Sequence, residues 1–367
     1  ANTGSVLWWA SNSGADNNNP NMTHSIVSRI STLDRDADGL VDHLYFGDLG
    51  GQVFRADFNN KSTATKFGVR VVRMANLGST TVSSGDQPRF YQPPTLTIHD
   101  VGVNTFIVVG IASGDRSTPL DVSPSIGRET MLPSTALSGR PTNKVYGLID
   151  RDFINKSLMS IADGDLKTKD IVLSNLVENP QTLSMSNLTD KLSPSSGSAT
   201  NQGWYRSLSS DYAGNKVAGR TDGGVKAFEE EPIAIKNNLF IPVYDPEGTG
   251  LDPADSCSTR IIGESNRQQY CLPFGKCETT ALEEKTGFRI SGGKNQSVIG
   301  SGIRGITLGP GSPGGTGGPG GPSGSGPKNS CGNLTLVGNI TGSGEWQCSR
   351  LLNPIRWYER YVTAKTK

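Results

Sequence analysis

The sequence predicts an all-β fold and, within that class, a β-propeller with long loop insertions. Helical periodicity of hydrophobic residues is almost absent, and short alternating runs dominate. The 46 glycines, together with frequent Ser, Thr and Asn, suit tight turns and short strands more than helices. Strand–turn–strand units also recur along the chain, as they do in propeller blades. We therefore treat residues 1–367 as one propeller domain, with a β-sandwich as the alternative.

Three segments share one pattern, an apolar strand that carries an aromatic residue and ends in Asp before a turn. They are residues 44–57, 143–150 and 238–245. The first contains a complete hairpin, because the tight turn Asp-Leu-Gly-Gly at 48–51 separates two strand patterns. Residues 3–9 and 233–235 are predicted to be further strands. Residues 105–112 are apolar enough for a central strand.

Long polar stretches without a strand pattern separate these units, at residues 116–141, 158–204 and 248–330. We expect them to lie as loops on the propeller faces, to add nothing to the core and to carry partner contacts. Residues 309–328 form a Gly/Pro-rich tract without a Gly-X-Y period, which excludes collagen. This tract is predicted to be a flexible loop between two strands.

All five cysteines lie in the last third of the chain, at Cys257, Cys271, Cys277, Cys331 and Cys348. They show no CxxC spacing and the three histidines lie far away in the sequence, which argues against zinc. Disulfides formed in an oxidising compartment are the better interpretation. Cys331 could pair with Cys348, and Cys271 with either Cys277 or Cys257. One cysteine is left over, so the connectivity stays open.

Charge and hydropathy argue against two classes of partner. The formal net charge is +1, which gives no electrostatic basis for nucleic-acid binding. No run of about 18 apolar residues exists, so no membrane span is expected. No secretory signal is visible, so an exported protein would have lost it. The chain also lacks a Gly-x-Ser-x-Gly elbow, a phosphate loop and an HExxH motif, and we predict that it is not an enzyme.

Residues 34–42, Asp-Arg-Asp-Ala-Asp-Gly-Leu-Val-Asp, predict a Ca²⁺ site. Carboxylates recur at every second position, and Ca²⁺ takes about six to eight oxygen ligands. Gly39 permits the sharp turn that such a loop needs. Without a cation the four carboxylates would repel one another. The predicted ligands are the side chains of Asp34, Asp36, Asp38 and Asp42 and the backbone carbonyl of Leu40.

The loop matches the start of the EF-hand signature but departs from its end. Tyr45 stands at the twelfth position, where an EF-hand has a bidentate Glu, and a strand follows instead of a helix. The sequence therefore predicts a calcium loop attached to β-structure. The alternative is an acidic, solvated turn, against which the position of Gly39 argues.

These residues resemble the PilY/PilC family of type IV pilus tip-associated adhesins, in the C-terminal β-propeller domain of that family. The motif Asp-x-Asp-x-Asp-Gly-x-x-Asp runs into Tyr-Phe-Gly-Asp-Leu-Gly-Gly-Gln-Val-Phe-Arg-Ala-Asp at 45–57. Further similarity lies in the Gly-Asp-Arg element at 110–119, the strand at 143–150 and the Gly-Trp-Tyr element at 203–205. Recognisable motifs span residues 1–245, and the cysteine-bearing remainder matches less well.

The resemblance implies a Ca²⁺-dependent role in pilus assembly, in the balance of extension and retraction, in twitching motility and in surface attachment. It implies minor pilins at the pilus tip and a surface or host receptor as partners. The implied location is extracellular, at the pilus tip and associated with the outer membrane of a Gram-negative bacterium. Transferred by position, the calcium ligands are the five residues named above. Asp38 takes a place where the family also has Asn.

Two other functions fit parts of the sequence. Thr3-Gly4 and Trp8 fit the blade style of quinoprotein dehydrogenases, propeller enzymes that use Ca²⁺ and pyrroloquinoline quinone. A contiguous Asp loop would saturate the ion with protein oxygens, which leaves no open position for Lewis-acid catalysis. We therefore expect a structural or regulatory ion in a quinoprotein-like propeller whose blades need not be complete. A secreted carbohydrate-binding propeller is the third hypothesis.

Overall fold

The structure is a computed structural model that describes part of the chain. The described residues are 4, 6–78, 88–101, 104–117, 119, 143–180, 183–192, 202–208, 225–228, 231–235, 237–246, 263–276, 289–291, 294–303, 307–310, 334–337 and 345–346.

A parallel pair of short strands, β1 (Ala10–Ser11) and β2 (Asn17–Asn18), precedes the first sheet. The first sheet is an antiparallel meander of four strands in chain order. Its strands are β3 (Ser31–Leu33), β4 (His43–Gly47), β5 (Gln52–Phe58) and β6 (Gly68–Asn76). The hairpin predicted within 44–57 is confirmed. In its turn, Asp48 Oδ1 accepts hydrogen bonds from the backbone N–H groups of Gly50 (2.9 Å) and Gln52 (2.8 Å).

The second sheet has five strands in the order β10-β11-β9-β8-β7, antiparallel except for the β10–β11 pair. A short helix, α1 (Met185–Leu192), lies between β10 and β11 in the chain. The predicted strands at 105–112 and 143–150 are confirmed as β8 and β9. The bounds are β7 (Thr95–Val101), β8 (Asn104–Ala112), β9 (Lys144–Asp150), β10 (Val177–Glu178) and β11 (Gly203–Ser207).

A third sheet of five strands, in the order β12-β13-β14-β16-β15, is antiparallel throughout. The predicted strands at 233–235 and 238–245 are confirmed as β12 and β13. The bounds are β12 (Ile233–Ile235), β13 (Asn238–Asp245), β14 (Glu264–Cys271), β15 (Arg289–Ser291) and β16 (Lys294–Ser301). Three last strands form a separate sheet: β17 (Thr307–Pro310), β18 (Leu334–Val337) and β19 (Glu345–Trp346).

The three larger sheets pack one on the next, and β8 shows how. Side chains on a strand alternate between the two faces of its sheet. Ile107, Val109 and Ile111 are buried in a cluster with Tyr45 and Val53 of the first sheet. The alternate residues of β8 are buried in a second cluster with the third sheet. Its members include Phe106, Val108, Ala112, Leu239, Ile241 and Tyr270.

The expectation that residues 158–204 add nothing to the core is wrong. Leu158, Ile171 and Trp204 are fully buried or nearly so. Trp204 lies on Gly147 of β9, where an added Cβ would stand 2.3 Å from the indole ring. Its Nε1 donates to the carbonyl of Pro273 at 2.8 Å, which joins the second sheet to the third. The stretch is polar in composition, yet these three side chains pack against residues that are distant in the sequence.

Two other loop expectations are corrected or limited. Residues 248–330 contain β14 and β16, so this region also contributes strands. The Gly/Pro-rich tract does connect two paired strands, because it begins in β17 and ends before β18. Residues 311–328 of the tract lie outside the described residues, as do 120–141.

Cys271 is in a disulfide. The other four cysteines lie outside the described residues, so Cys257 and Cys277 both stay open as the partner of Cys271.

The strand predicted at 3–9 is wrong. Residues 6–9 are irregular, and the first strand is β1. Trp8 instead packs edge-on against Phe58, with ring centroids 4.7 Å apart, and donates from Nε1 to Asn17 Oδ1 at 2.6 Å. Side-chain contacts of Trp8 therefore hold this part of the chain, in place of backbone hydrogen bonds between strands.

The outer edge of β6 is covered by groups from elsewhere in the chain. The side-chain amides of Asn17 and Asn19 donate to the carbonyls of Val69 (3.3 Å) and Val71 (2.9 Å). Farther along, the backbone N–H of Asp170 donates to the carbonyl of Arg73 at 2.9 Å. These three carbonyls on the β6 edge are therefore satisfied without a fifth strand.

The prediction of an all-β protein is thus confirmed, apart from α1 and short 3₁₀ helices at Ala64–Lys66, Asp163–Asp165 and Leu173–Asn175. The successive antiparallel sheets are of the kind that form propeller blades. Closure into a ring, the number of blades and the single-domain boundary remain predictions. Within the described part of the chain, no helix has the length and hydropathy needed to cross a bilayer.

Candidate metal centre

The predicted calcium loop connects β3 to β4. The two strands pair from Leu33 and His43 outward, and the N–H of Asp42 donates to the carbonyl of Leu33 at 2.9 Å. Residues 34–42 therefore leave and re-enter the sheet at one point. Gly39 has φ +88°, a left-handed conformation that favours glycine, so the turn predicted there is present.

Three of the predicted carboxylates converge in this loop. Asp34, Asp36 and Asp42 each place one ligand atom within 4.8 Å of the others. Oxygen ligands lie about 2.3–2.6 Å from Ca²⁺, so two ligands of one ion are at most about 5 Å apart. The set consists of hard oxygen donors at a compatible spacing, which fits Ca²⁺ and does not suit the nitrogen and sulfur ligands that zinc prefers.

Backbone and side-chain donors hold Asp34 and Asp42 in place. Asp34 accepts hydrogen bonds from the N–H groups of Asp38 (3.3 Å) and Gly39 (2.8 Å). Asp42, which is 8% exposed, accepts from the N–H of Arg35 at 2.8 Å and from Asn60 Nδ2 at 2.9 Å. A carboxylate oxygen that accepts one such bond keeps a second lone pair for a metal ion. The loop is therefore preorganised by contacts that leave ligand capacity.

Asp38 and Leu40 are placed differently from the other predicted ligands. Asp38 lies outside the group of three carboxylates and is exposed. Its Oδ1 accepts the N–H of Leu40 at 2.9 Å, so it caps the turn of the loop. Leu40 has no ligand atom in its exposed side chain, so only its backbone carbonyl can take the predicted role. The ligand roles of all five residues remain predictions.

The loop borders a cleft of about 400 Å³ in which it meets cationic side chains. Lys61 Nζ lies 3.6 Å from Asp36 Oδ2, and both side chains are well exposed, so this pair contributes little. Arg35 reaches the segment after β9, where its Nη2 donates to the carbonyl of Asn155 at 2.6 Å. Its guanidinium also lies over the Phe153 ring, 5.9 Å from the centroid.

A second group of charged residues, which sequence reasoning missed, is buried on one face of the first sheet. We call it the buried charge cluster. Its members, His43, Tyr45, Arg55, Asp57, Arg70, Asp150 and Asp152, are all at most 5% exposed. The opposite face of the same strands is apolar, with Phe46 stacked on Phe54 at 5.5 Å.

Arg55 is the centre of the buried charge cluster. Its Nε and Nη2 donate to both oxygens of Asp57, at 2.7 and 3.1 Å. Its Nη1 donates to Asp150 at 2.8 Å and lies 3.4 Å from Asp152. Tyr45 donates its hydroxyl to Asp150 at 2.9 Å. The guanidinium of Arg55 thus joins the first sheet to Asp150 at the end of β9 and to Asp152 just beyond it.

The pKa values within the buried charge cluster reflect this pairing. Burial alone would raise the pKa of Asp57, but the Arg55 guanidinium and His43, whose Nδ1 lies 2.8 Å away, lower it to about 2. Burial, and then the neighbouring Asp150, raise the pKa of the Tyr45 hydroxyl well above its ordinary value. The carboxylate stays ionised and the phenol stays neutral, which is suited to a structural network.

The Gly-Asp-Arg element contains a turn cap. Asp115 Oδ1 accepts the N–H of Ser117 at 2.9 Å, and Asp115 Oδ2 lies 3.1 Å from Arg89 Nη1. Its contacts are those of a structural turn on the loop that follows β8.

No protein-family model matches the chain, and no curated protein matches its sequence. Among solved structures it is similar to the crystal structure of the C-terminal domain of PilY1 from Pseudomonas aeruginosa. The sequence identity is 15% and the TM-score 0.48, over 86% of this chain and 59% of that chain. This chain therefore spans less than two thirds of the length of the solved domain.

Proposed function

We propose that residues 34–42 bind one Ca²⁺ ion and that the chain is the calcium-binding domain of a type IV pilus tip-associated adhesin or biogenesis factor. The observation that carries the proposal is the convergence of Asp34, Asp36 and Asp42 in a loop that leads directly into the β4–β5 hairpin. Acidic clusters are common on protein surfaces. This one stands in the order of loop and hairpin that the sequence shares with the PilY/PilC family.

Under this proposal the domain supports pilus assembly, the balance of extension and retraction, twitching motility and surface attachment. Its partners are minor pilins at the tip and a surface or host receptor, and its place is outside the cell. The propeller gives a rigid frame, and the calcium loop is a regulated element on that frame. These roles come from the shared motifs alone.

The ion has a structural or regulatory role in this proposal. Asp34 and Asp42 are already oriented by hydrogen bonds, so calcium would neutralise a preformed group of charges. Binding to the folded state alone would stabilise it by mass action, by about 2.7 kcal/mol at a hundredfold excess over Kd. The sheets have their own apolar clusters, so we expect the metal-free protein to remain folded.

Calorimetric titration with CaCl₂ tests the metal site. The wild type should bind one ion, and Asp36→Ala should bind at least tenfold more weakly, about 1.4 kcal/mol, because a ligand and a charge are lost. Asp16→Ala is the matched control, since Asp16 is an acidic residue whose Oδ2 accepts the N–H of Trp9, outside the loop. Equal affinities for wild type and Asp36→Ala would refute the site.

A binding assay tests the pilus role separately. The domain would be immobilised and exposed to the minor pilins encoded by the same genome, in CaCl₂ and in EDTA. We expect binding that weakens in EDTA and in Asp36→Ala but persists in Asp16→Ala. Calcium binding without any pilin binding would leave a calcium-binding β-protein and refute the pilus assignment.

A further inference from the structure

The segment from the last residue of β9 onward, residues 150–163, is anchored to the first sheet near its start and again at Leu158. At its start, Arg55 Nη1 donates to Asp150 Oδ2 at 2.8 Å. Toward its end, Arg70 Nη2 donates to the carbonyl of Leu158 at 2.8 Å. Both guanidiniums are buried and both belong to the buried charge cluster. These anchors do not depend on the calcium loop.

The middle of the segment is exposed and meets the calcium loop. Ile154 is 49% exposed, and the side chains of Lys156 and Ser157 are also exposed. Arg35 donates to the carbonyl of Asn155 at 2.6 Å and covers the Phe153 ring. Segments with few buried contacts open locally at a lower free energy than the core does. Arg35 therefore contacts Phe153 and Asn155, two partly buried residues that lie among exposed ones.

Arg35 takes part in the loop and in this contact at the same time. Its backbone N–H donates to Asp42 Oδ2 at 2.8 Å, while its side chain reaches Asn155. A loop conformation that holds the backbone of Arg35 also determines where its guanidinium can reach. Repulsion among the carboxylates of the loop opposes that conformation, and a divalent cation offsets the repulsion.

We propose that Arg35 couples calcium occupancy of residues 34–42 to the order of residues 153–157. The inference rests on the proposed calcium binding. A ligand shifts an equilibrium only through a difference in its affinity for the two states, and here the states differ in the loop backbone at Arg35. Coupling of this kind is reciprocal: the docked segment favours the bound ion as much as the ion favours docking.

Hydrogen exchange of backbone amides measures the coupling. The N–H of Asn155 donates to the carbonyl of Asp152, and the N–H of Leu158 to that of Asn155, both at 2.9 Å. In the wild type, saturating calcium should slow exchange at these amides about fivefold relative to EDTA, the low end of common allosteric couplings. Arg35→Met should still bind calcium, because Asp42 is contacted by the backbone N–H, but the slowing should disappear.

Lys61→Met is the matched control. It also removes one positive charge beside the loop, since Lys61 Nζ lies 3.6 Å from Asp36. We expect it to bind calcium and to keep the slowing at Asn155 and Leu158. Arg35→Lys, which keeps the charge but loses the planar guanidinium, should retain only part of it.

The possible failures can be told apart. A wild type that binds no calcium in calorimetry overturns both the proposed function and the coupling. A wild type that binds calcium with unchanged exchange at 153–158 overturns the coupling alone. Loss of the slowing in Lys61→Met as well as in Arg35→Met also overturns the role of Arg35, since any cation at the loop would then do the same.

Discussion

Asp42 and His43 are neighbours in the chain, yet they belong to two acidic groups with opposite surroundings. The carboxylates of the calcium loop range from exposed Asp36 to Asp42, which is 8% exposed, and their partners are mostly N–H groups, with one exposed lysine near Asp36. The carboxylates of the buried charge cluster lie inside, and Arg55 donates to Asp57 and Asp150 directly. One group has an excess of negative charge near solvent, and the other is paired.

The difference shows that the partners of a carboxylate decide its role more than the number of carboxylates does. Buried charges are tolerated when they are paired and hydrogen-bonded. An exposed group without sufficient cationic partners can be neutralised by an ion from solution. Four experiments test this contrast, and the first has the largest expected effect.

Arg55→Met should be the most damaging single change. It leaves Asp57 and Asp150 buried without their guanidinium, and breaking a buried pair in this way costs about 3–5 kcal/mol. Urea unfolding at pH 7 in EDTA measures the free energy of unfolding. Lys61→Met, which removes the cation of an exposed pair, should change it by about 1 kcal/mol or less. Similar losses in the two variants would mean that burial does not separate the groups.

Acid should weaken the buried charge cluster in a defined pH window. The folded-state pKa of Asp57, about 2, lies below its unfolded value of about 3.9. Its contribution is therefore present above a pH of about 4 and is lost as the pH falls through 2, about 2–3 kcal/mol in all. The measurement is the free energy of unfolding from pH 5 to 2 in EDTA, for wild type and Asp57→Asn. Parallel pH profiles for the two proteins would contradict the lowered pKa.

Within the loop, Asp42 should contribute more to calcium affinity than Asp38 does. Asp42→Asn keeps the shape of the side chain but removes a charge from the group of three, so calcium affinity should fall at least tenfold, about 1.4 kcal/mol. Asp38→Asn should cost only a few-fold, because Asp38 lies outside that group and caps the turn at Leu40. Calorimetry compares the two variants. Equal losses of affinity would indicate that the side chain of Asp38 rotates toward the other carboxylates and becomes a ligand when the ion binds.

The smallest expected effect belongs to Asn60. Its Nδ2 donates to Asp42 Oδ1 at 2.9 Å and to the carbonyl of Val41 at 3.1 Å. Asn60→Ala removes one orienting hydrogen bond, about 1 kcal/mol, so calcium affinity should fall about fivefold. Asn59→Ala is the control, because Asn59 Oδ1 accepts the N–H of Lys61 within its own turn. If both variants bind calcium like the wild type, Asn60 does not position Asp42.

Features set by neighbouring residues could be predicted from the sequence. The hairpin of β4 and β5 follows from alternating residues around an Asp-Leu-Gly-Gly turn, which depends on local conformation. The convergence of Asp34 and Asp36 likewise follows from their spacing in one loop. The position of Asp38 could not be read from spacing, because its side chain bonds to the backbone two residues on.

The buried charge cluster was missed because its partners are far apart in the sequence. Asp150 lies 95 residues beyond Arg55, and alternation of charged and apolar residues usually marks a solvated face. A signal was present: Arg55 and Asp57 are two residues apart and opposite in charge, so they share one face of β5. His43 and Tyr45 stand opposite them on β4. Cross-strand charge complementarity would have indicated a paired face.

The amides of Asn17 and Asn19 at the edge of β6 also bear on how this protein behaves in concentrated solution. A sheet edge with open carbonyls is a template on which another molecule can add a strand and begin an aggregate. Here the carbonyls of Val69 and Val71 are already occupied by side chains, which cannot themselves propagate a ladder. A proteolytic cut that released residues 10–19 would expose that template, and the early damage would be self-association while the sheets were still folded.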